Sequence, residues 1–501
     1  MTSYTLMQFV GSVMLAQVGP LQVAAQGNGG IWSFVPLAFL FGGLTVVNSY
    51  VAQNLGAGRL HAAARYGWAG LWFSGITWLF ILVPYGLSLP LLFSSLGHSP
   101  ELAAMESSYA QVLVFGGIIS LSGKAMSHFF FGLHRPKVIT IAAIAGNLVN
   151  ILTNFILIYG EAGLPALGLR GIPGTPALGV TGAAIATVLG TSVEVSIPLT
   201  VFLSRRMDRE LGTRRAWRPQ WSALRDLVRT GWPAGIQFGN EIFCWAIFMS
   251  VLVGRFGELH LTAGWAVLRY MHLSFMPAVG FSVATTSLVG RYIGAGNPNT
   301  AVARAHTALL ISVIYMALCG IMMWTFSAPL VSLFAEGAHT DPATSAEIVR
   351  IGSRIMLAAA VFQAFDAVGI VYSGALRGAG DTLWPGVVTI VLSWVLIVGL
   401  GWGFVVWTPG LESLGPWIAS AGYIAALGAA MAWRFEKGPW RTMRLVDPSR
   451  PDDAAALVAP ITGGAPELSG AGSIEDIADA VQCATVAPSP KAQEQQNRHA
   501  D

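Results

Sequence analysis

Five ionisable side chains lie inside stretches that are otherwise apolar and long enough to cross a membrane: Glu194, Glu241, Arg269, His272 and Asp366. A carboxylate at bilayer depth costs roughly 3 kcal/mol on insertion scales, so it is retained where it meets a partner or a water-filled path. Glu241, in GIQFGNEIFCW, has Gln237 one helical turn before it and Asn240 beside it; Asp366, in VFQAFDAVGIVYSGALRGAGDT, has Gln363 three residues earlier on the same helix face. Amide oxygens next to a carboxylate can share a proton or help coordinate a small hard cation such as Na⁺. The competing reading is a pair of structural carboxylates satisfied by Arg269 or by backbone. Arg269 and His272 are three residues apart and share a helix face, although Arg269, about two turns from the outer end of its span, could instead snorkel to the interface. Glu194 reads as structural. Asn147, Asn150 and Asn154 share one face of a fifth span, where they bond between helices or line a cavity. Four of the five ionisable groups fall in the second half of the chain, which assigns the ion chemistry to that half.

The elements that carry these residues follow from composition. The chain has 501 residues, 54% hydrophobic and 11% charged, with mean hydropathy +0.61; soluble domains carry about 25% charged residues. Apolar runs of about 20 residues suit a hydrocarbon core of about 30 Å. They predict twelve spans: 4–26, 31–53, 67–95, 102–123, 138–160, 177–203, 227–254, 262–289, 303–334, 348–374, 384–407 and 412–433. The first reads as short, as if one or two turns preceded it. Basic residues concentrate after even-numbered spans: Arg59 and Arg65, then Lys124, Arg135 and Lys137, the cluster Arg205 to Arg229, Arg291 and Arg304, Arg377, and Arg434 to Arg444. By the positive-inside rule both termini are cytoplasmic. The basic cluster reads as a loop beside anionic lipid, not as a nucleic-acid site. Without residues 445–501 the chain has 25 basic and 16 acidic residues, a net charge of +9 in place of +3.

GGLTVVNSYVAQNLGAG (42–58) aligns without gaps to GFSVATTSLVGRYIGAG (280–296), and FFFGLHRPK (129–137) echoes ALRGAGDTLWP (375–385). The unit is about 240 residues, or six spans, so both copies enter the membrane with one orientation. The expected organisation is a six-helix lobe (1–204), a basic cytoplasmic linker (205–226), a second six-helix lobe (227–435) and a mostly disordered cytoplasmic tail (436–501). GIISLSGKA (117–125) departs from a phosphate-binding loop in glycine spacing and by Ala125 where Ser or Thr is required. GAGD (378–381) lacks the second carboxylate of an intramembrane protease, and HExxH and GxSxG motifs are absent, so a polytopic membrane enzyme is the less favoured reading. Cys244, Cys319 and Cys483 have no metal or disulfide spacing.

With the six-plus-six repeat, the two Gly-Ala-Gly turns, RPKVITIAAIAGNLVNILTNFILIYG, LGVTGAAIATV and FQAFDAVGIVYSGALRGAGDT, the chain resembles the multidrug and toxin extrusion (MATE) family, NorM-like, of the MOP flippase superfamily, over residues 4–435. The resemblance implies an all-α polytopic membrane protein with two V-shaped lobes that exports organic cations or drugs in exchange for Na⁺ or H⁺, without a cofactor, as a monomer in the cell membrane. It places the coupling carboxylates at Glu241 and Asp366, to which the reading of the residues adds Gln237, Asn240, Gln363, Arg269, His272, Asn150 and Asn154 as cavity or site support. The family often carries an Asp in the first span; FVGSVML has Gly11 there. The alternative is a flippase for lipid-linked sugars or another amphiphile, and a non-transporting scaffold is the third reading.

Overall fold

The computed structural model describes residues 2–96, 98–163, 171–335 and 342–446, all helical or irregular. Of the predicted tail (436–501), residues 447–501 lie outside the described residues. The first half holds α1 (Thr2–Ala16), α2 (Pro20–Leu44, continued by Val46–Gly56) and α3 (Leu60–Thr77, a π-helical stretch Trp78–Leu82, then Val83–Ser95). In α4, Pro100–Phe115 and Gly117–Gly132 meet at a bend of 43°. α5 (Pro136–Tyr159) and α6 (Gly179–Phe202) complete this half. A short helix, Arg205–Leu211, precedes α7 (Trp221–Ile247, with a π-helical continuation Phe248–Val253), α8 (Glu258–Gly294) and α9 (Pro298–Thr325, then Ser327–Ala335). α10 (Pro342–Ala379), α11 (Leu383–Leu392, π-helical Ser393–Leu400, then Gly401–Trp407) and α12 (Leu414–Lys437) follow. Ten of these are long and apolar enough to span on their own, α4 does so as a bent pair, and α1 carries the shorter apolar stretch Leu6–Ala16. Twelve helices in two six-helix repeats result.

Several boundaries differ from expectation for identifiable reasons. The first turn falls at Gln17–Gly19, not at the predicted 27–30, because Pro20 opens α2 at a position that needs no N–H donor. Asn28, Gly29 and Gly30 are instead helical: Asn28 Nδ2 donates to Glu106 Oε1 at 2.7 Å, and the bare Cα of Gly29 admits α4. Lys124 and Arg377, read from sequence as loop residues, lie within α4 and α10, which run on to Gly132 and Ala379. Asp381, read as a cytoplasmic loop residue, is 5% exposed and receives Arg434 Nε at 2.7 Å, with the guanidinium stacked over Trp384. The stretch 117–125 is helix, so it forms no phosphate-cradling loop.

The halves meet along α2 and α8 at the face that carries the basic connections. Residues 238 apart in the repeat occupy equivalent places in this seam. A β-carbon at Gly56 would overlap the Arg291 carbonyl, and one at Gly294 would overlap the carbonyl of Gln53, the repeat partner of Arg291. Ser287 Oγ donates to Asn48 Oδ1 at 2.8 Å, Asn48 Nδ2 donates to the Val283 carbonyl at 3.2 Å, and Ser49 Oγ donates to the Arg377 carbonyl at 2.7 Å. Close backbone approach through small residues with polar cross-links is how helices associate where lipid offers no hydrophobic incentive. Beyond α12 the chain turns at Pro439–Thr442, with Trp440 buried and stacked on Phe435, and returns to the seam. There the Leu445 N–H donates to Gln53 Oε1 at 2.9 Å, while Gln53 Nε2 donates to the Gly378 carbonyl at 3.0 Å. One side chain therefore ties α2, α10 and the returning segment together.

Gly56→Val and Gly294→Val should each destabilise the protein by at least the roughly 1–3 kcal/mol typical of overpacking, read as a lowered thermal midpoint in detergent. Gly280→Ala, whose β-carbon would meet open space, is the control that should not.

Candidate functional site

Glu241 on α7 and Asp366 on α10 lie within electrostatic reach of one another, and both act on Tyr423 of α12. Each carboxylate is partly exposed, and neither makes a hydrogen bond or ion pair with another described residue. Asp366 is thirteen residues, or about 20 Å at 1.5 Å per residue, from the end of α10 at Ala379. Two like charges at that depth repel strongly, since the effective dielectric is far below that of water. A cation shared between them, a proton or Na⁺, removes that repulsion. Tyr423 is 1% exposed and its hydroxyl has no partner among the described residues. A phenol beside two carboxylates can donate to one or offer its oxygen to a cation.

The surrounding amides point elsewhere. Gln237 Nε2 donates to Thr389 Oγ1 at 3.0 Å, Asn240 Nδ2 donates to Ser393 Oγ at 2.9 Å, and Asn240 Oδ1 accepts from Trp394 Nε1 at 2.9 Å. Both therefore brace α7 against α11 instead of coordinating with Glu241. Gln363 is likewise taken up, accepting from Ser274 Oγ at 3.2 Å and donating to Met323 Sδ at 3.4 Å. Arg269 is exposed and stacks over Phe334 at 5.7 Å, and His272 is exposed with Nδ1 bonded to the Leu268 carbonyl at 2.9 Å. Glu241 and Asp366 thus lie within electrostatic reach of one another, while Arg269 and His272 make their contacts with Phe334 and Leu268.

In the first half, Asn150 and Asn154 are fully buried, with Asn154 Nδ2 donating to Asn150 Oδ1 at 3.0 Å. Asn150 Nδ2 and Asn154 Oδ1 have no partner among the described residues, nor has Gln8 Nε2. A β-carbon on Gly11 would stand 3.1 Å from Gln26 Nε2 and 4.0 Å from Asn154 Nδ2, so amides surround the place of the family's first-span carboxylate. Glu106 is a carboxylate that the sequence reading passes over. It is fully buried, accepts from Asn28 Nδ2 and bonds His98 Nδ1 at 2.8 Å. Ionisable chemistry is thus not confined to the second half. Asn28 is 78 residues from Glu106, so no local spacing reveals the pair. Tyr423 carries no such signal beyond being a polar-tipped aromatic in the middle of a span.

The family model described as MatE matches residues 1–156 and 239–402. Among curated proteins, the multidrug resistance protein NorM of Burkholderia vietnamiensis is 30% identical over 435 residues, covering 86% of this chain and 89% of its own length. The probable multidrug resistance protein NorM of Pseudomonas putida is 29% identical over 462 residues, covering 91% and 95%. A crystal structure of MATE in the bent conformation superposes with a TM-score of 0.75 at 22% identity, covering 88% of this chain and 92% of its own. An outward-facing multidrug resistance MATE family transporter of the MOP superfamily gives 0.75 at 22% identity, covering 89% and 92%.

Tyr423→Phe removes a buried hydroxyl that has no partner among the described residues, and such a group costs about 1–3 kcal/mol to bury. The variant should keep or raise its thermal midpoint while losing transport. A lowered midpoint with unchanged transport would make the hydroxyl a structural group.

Proposed function

Because the chain belongs to the MatE family, we propose that it is a secondary active multidrug exporter that moves organic cations or drugs out of the cell in exchange for Na⁺ or H⁺ bound at Glu241 and Asp366. The observation that carries the coupling site is the unbonded carboxylate pair facing Tyr423 at the depth of the bilayer. The relatives named multidrug resistance proteins support the substrate class. In this reading the basic face is cytoplasmic, and the two six-helix halves act as lobes that rock about the α2 and α8 seam. With the seam packed, the carboxylates are reached from outside. Binding of the cation there removes the mutual repulsion of the pair and favours release of the drug. Opening of the seam lets the cation leave to the cytoplasm, and binding of a drug from that side favours its departure. A ligand shifts such an equilibrium only by its differential affinity for the two states, and the charge of the shared cation supplies that difference.

The test is efflux of a fluorescent cationic dye from proteoliposomes under imposed Na⁺ or pH gradients, comparing the wild type with Glu241→Gln and Asp366→Asn. Both variants should insert normally and lose gradient-driven efflux, and the gradient that drives the wild type names the ion. Unchanged efflux in both variants overturns the site. A wild type that moves no dye under either gradient points to the flippase reading.

A further inference from the structure

Past the end of α12 the chain runs back across the seam, and the eight residues 439–446 touch both halves. Their near end belongs to the second half. Trp440 is fully buried, its ring stacks on Phe435 with centroids 4.6 Å apart, and its indole N–H donates to the Phe435 carbonyl. Met443 packs against the core that Trp440 shares with α8, α9, α10 and α12. Their far end belongs to the first half. The Leu445 N–H donates to Gln53 Oε1 at 2.9 Å, and the Leu445 side chain packs against the core built mainly by α2, α3 and α4. The same side chain covers Gly380 at the end of α10, where a β-carbon would overlap it.

Gln53 makes these contacts interdependent. Its side chain is fully buried; Nε2 donates to the Gly378 carbonyl of α10 at 3.0 Å while Oε1 accepts from Leu445. Parting the halves at the seam separates Gln53 from Gly378. Because Trp440 holds the returning segment to the second half, the same motion separates Gln53 from Leu445. One buried amide then loses the partners of both its ends in a single event, and a buried polar group left unpaired costs more than the bond itself contributes. Leu445 leaves its apolar surroundings in the same step, which water opposes. Ordering eight residues across the seam also costs backbone entropy, so the crossing is stable only while both ends are held. The near end has a further tie: Arg441 lies 4.0 Å from Glu436, which bonds His306 of α9 at 2.8 Å.

We propose that residues 439–446 form a strap that holds the seam closed, anchored to the second half at Trp440 and clipped to the first at Leu445, and that the clip releases whenever the halves part on the basic face. The proposal rests on the exporter reading above, in which the halves rock about the seam, and adds the contact that sets how readily that face opens. The strap biases the equilibrium toward the form with the seam packed. Its contacts are separate from Glu241 and Asp366, so loosening it changes how often the protein opens, not what it binds.

Full-length variants at the clip test it. Leu445→Pro removes the N–H that Gln53 accepts and alters the side chain, Leu445→Ala removes only apolar contact, Leu445→Met preserves most of it, and Arg444→Gln changes an exposed neighbour. Each carries spin labels on cysteines introduced at His61 and Asn299, exposed residues that the repeat places at the same point of each half, in a background without the three native cysteines. Pulsed electron resonance in lipid nanodiscs, with and without a fluorescent cationic dye, reads the distance between the labels. Loss of the hydrogen bond and part of the apolar contact should raise the ratio of long-distance to short-distance populations about tenfold in Leu445→Pro. Leu445→Ala should shift it the same way by a smaller factor, and Leu445→Met and Arg444→Gln should match the wild type. A distribution unchanged in Leu445→Pro overturns the strap, as does an equal shift in Arg444→Gln. Dye efflux from proteoliposomes is followed alongside. Unchanged distances in variants that still move dye count against the strap alone, whereas a wild type that neither changes its label distance nor moves dye under any gradient counts against the exporter reading.

Discussion

Everything in this molecule that concerns transport depends on one backbone approach, the contact of α2 with α8. Gly56 rests on the carbonyl of Arg291, Gly294 rests on that of Gln53, and polar links from Asn48, Ser49 and Gln53 run across the join. The approach is this close only because no side chain stands between the two helices. It joins the two halves at the face that carries the basic connections.

Charge is distributed unequally on either side of that seam. Glu241, Asp366 and Tyr423 come together from α7, α10 and α12, three helices of one half, so their mutual distances change little when the halves move as units. Lys124 and Arg377 come from different halves, and their separation is sensitive to the same motion. Arg434 and Asp381, by contrast, form a buried ion pair joining the ends of α10 and α12, and this rigidifies the half that carries the acids.

How much of this the sequence reveals depends on how local the cause is. The helices are legible because a span must be about 20 apolar residues long whatever its neighbours. Glu241 and Asp366 are legible because a carboxylate inside such a run is expensive in any surroundings. The Asn28 to Gly30 stretch misleads, since glycine signals a turn or a close contact equally well and only the arrival of Glu106 and Tyr109 decides between them. Lys124 and Arg377 read as loop residues because a charge ends an apolar window, although the helix itself continues. The amides near Glu241 share its helix face by spacing, yet Thr389 and Ser393, about 150 residues away, claim them. Glu106 and Tyr423 are defined by partners on other helices, and spacing along one chain does not contain that information.

The seam also records how the gene was made. The contact of Gly56 with Arg291 and that of Gly294 with Gln53 are one contact performed twice, once by each copy of a duplicated segment upon the other. Before duplication such a surface would have met its own twin across two separate chains, so the ancestral half carries the hallmark of a self-associating dimer. Once fused, the two glycines became each other's selective constraint: drift toward a larger residue in either copy is resisted by the backbone of its sibling.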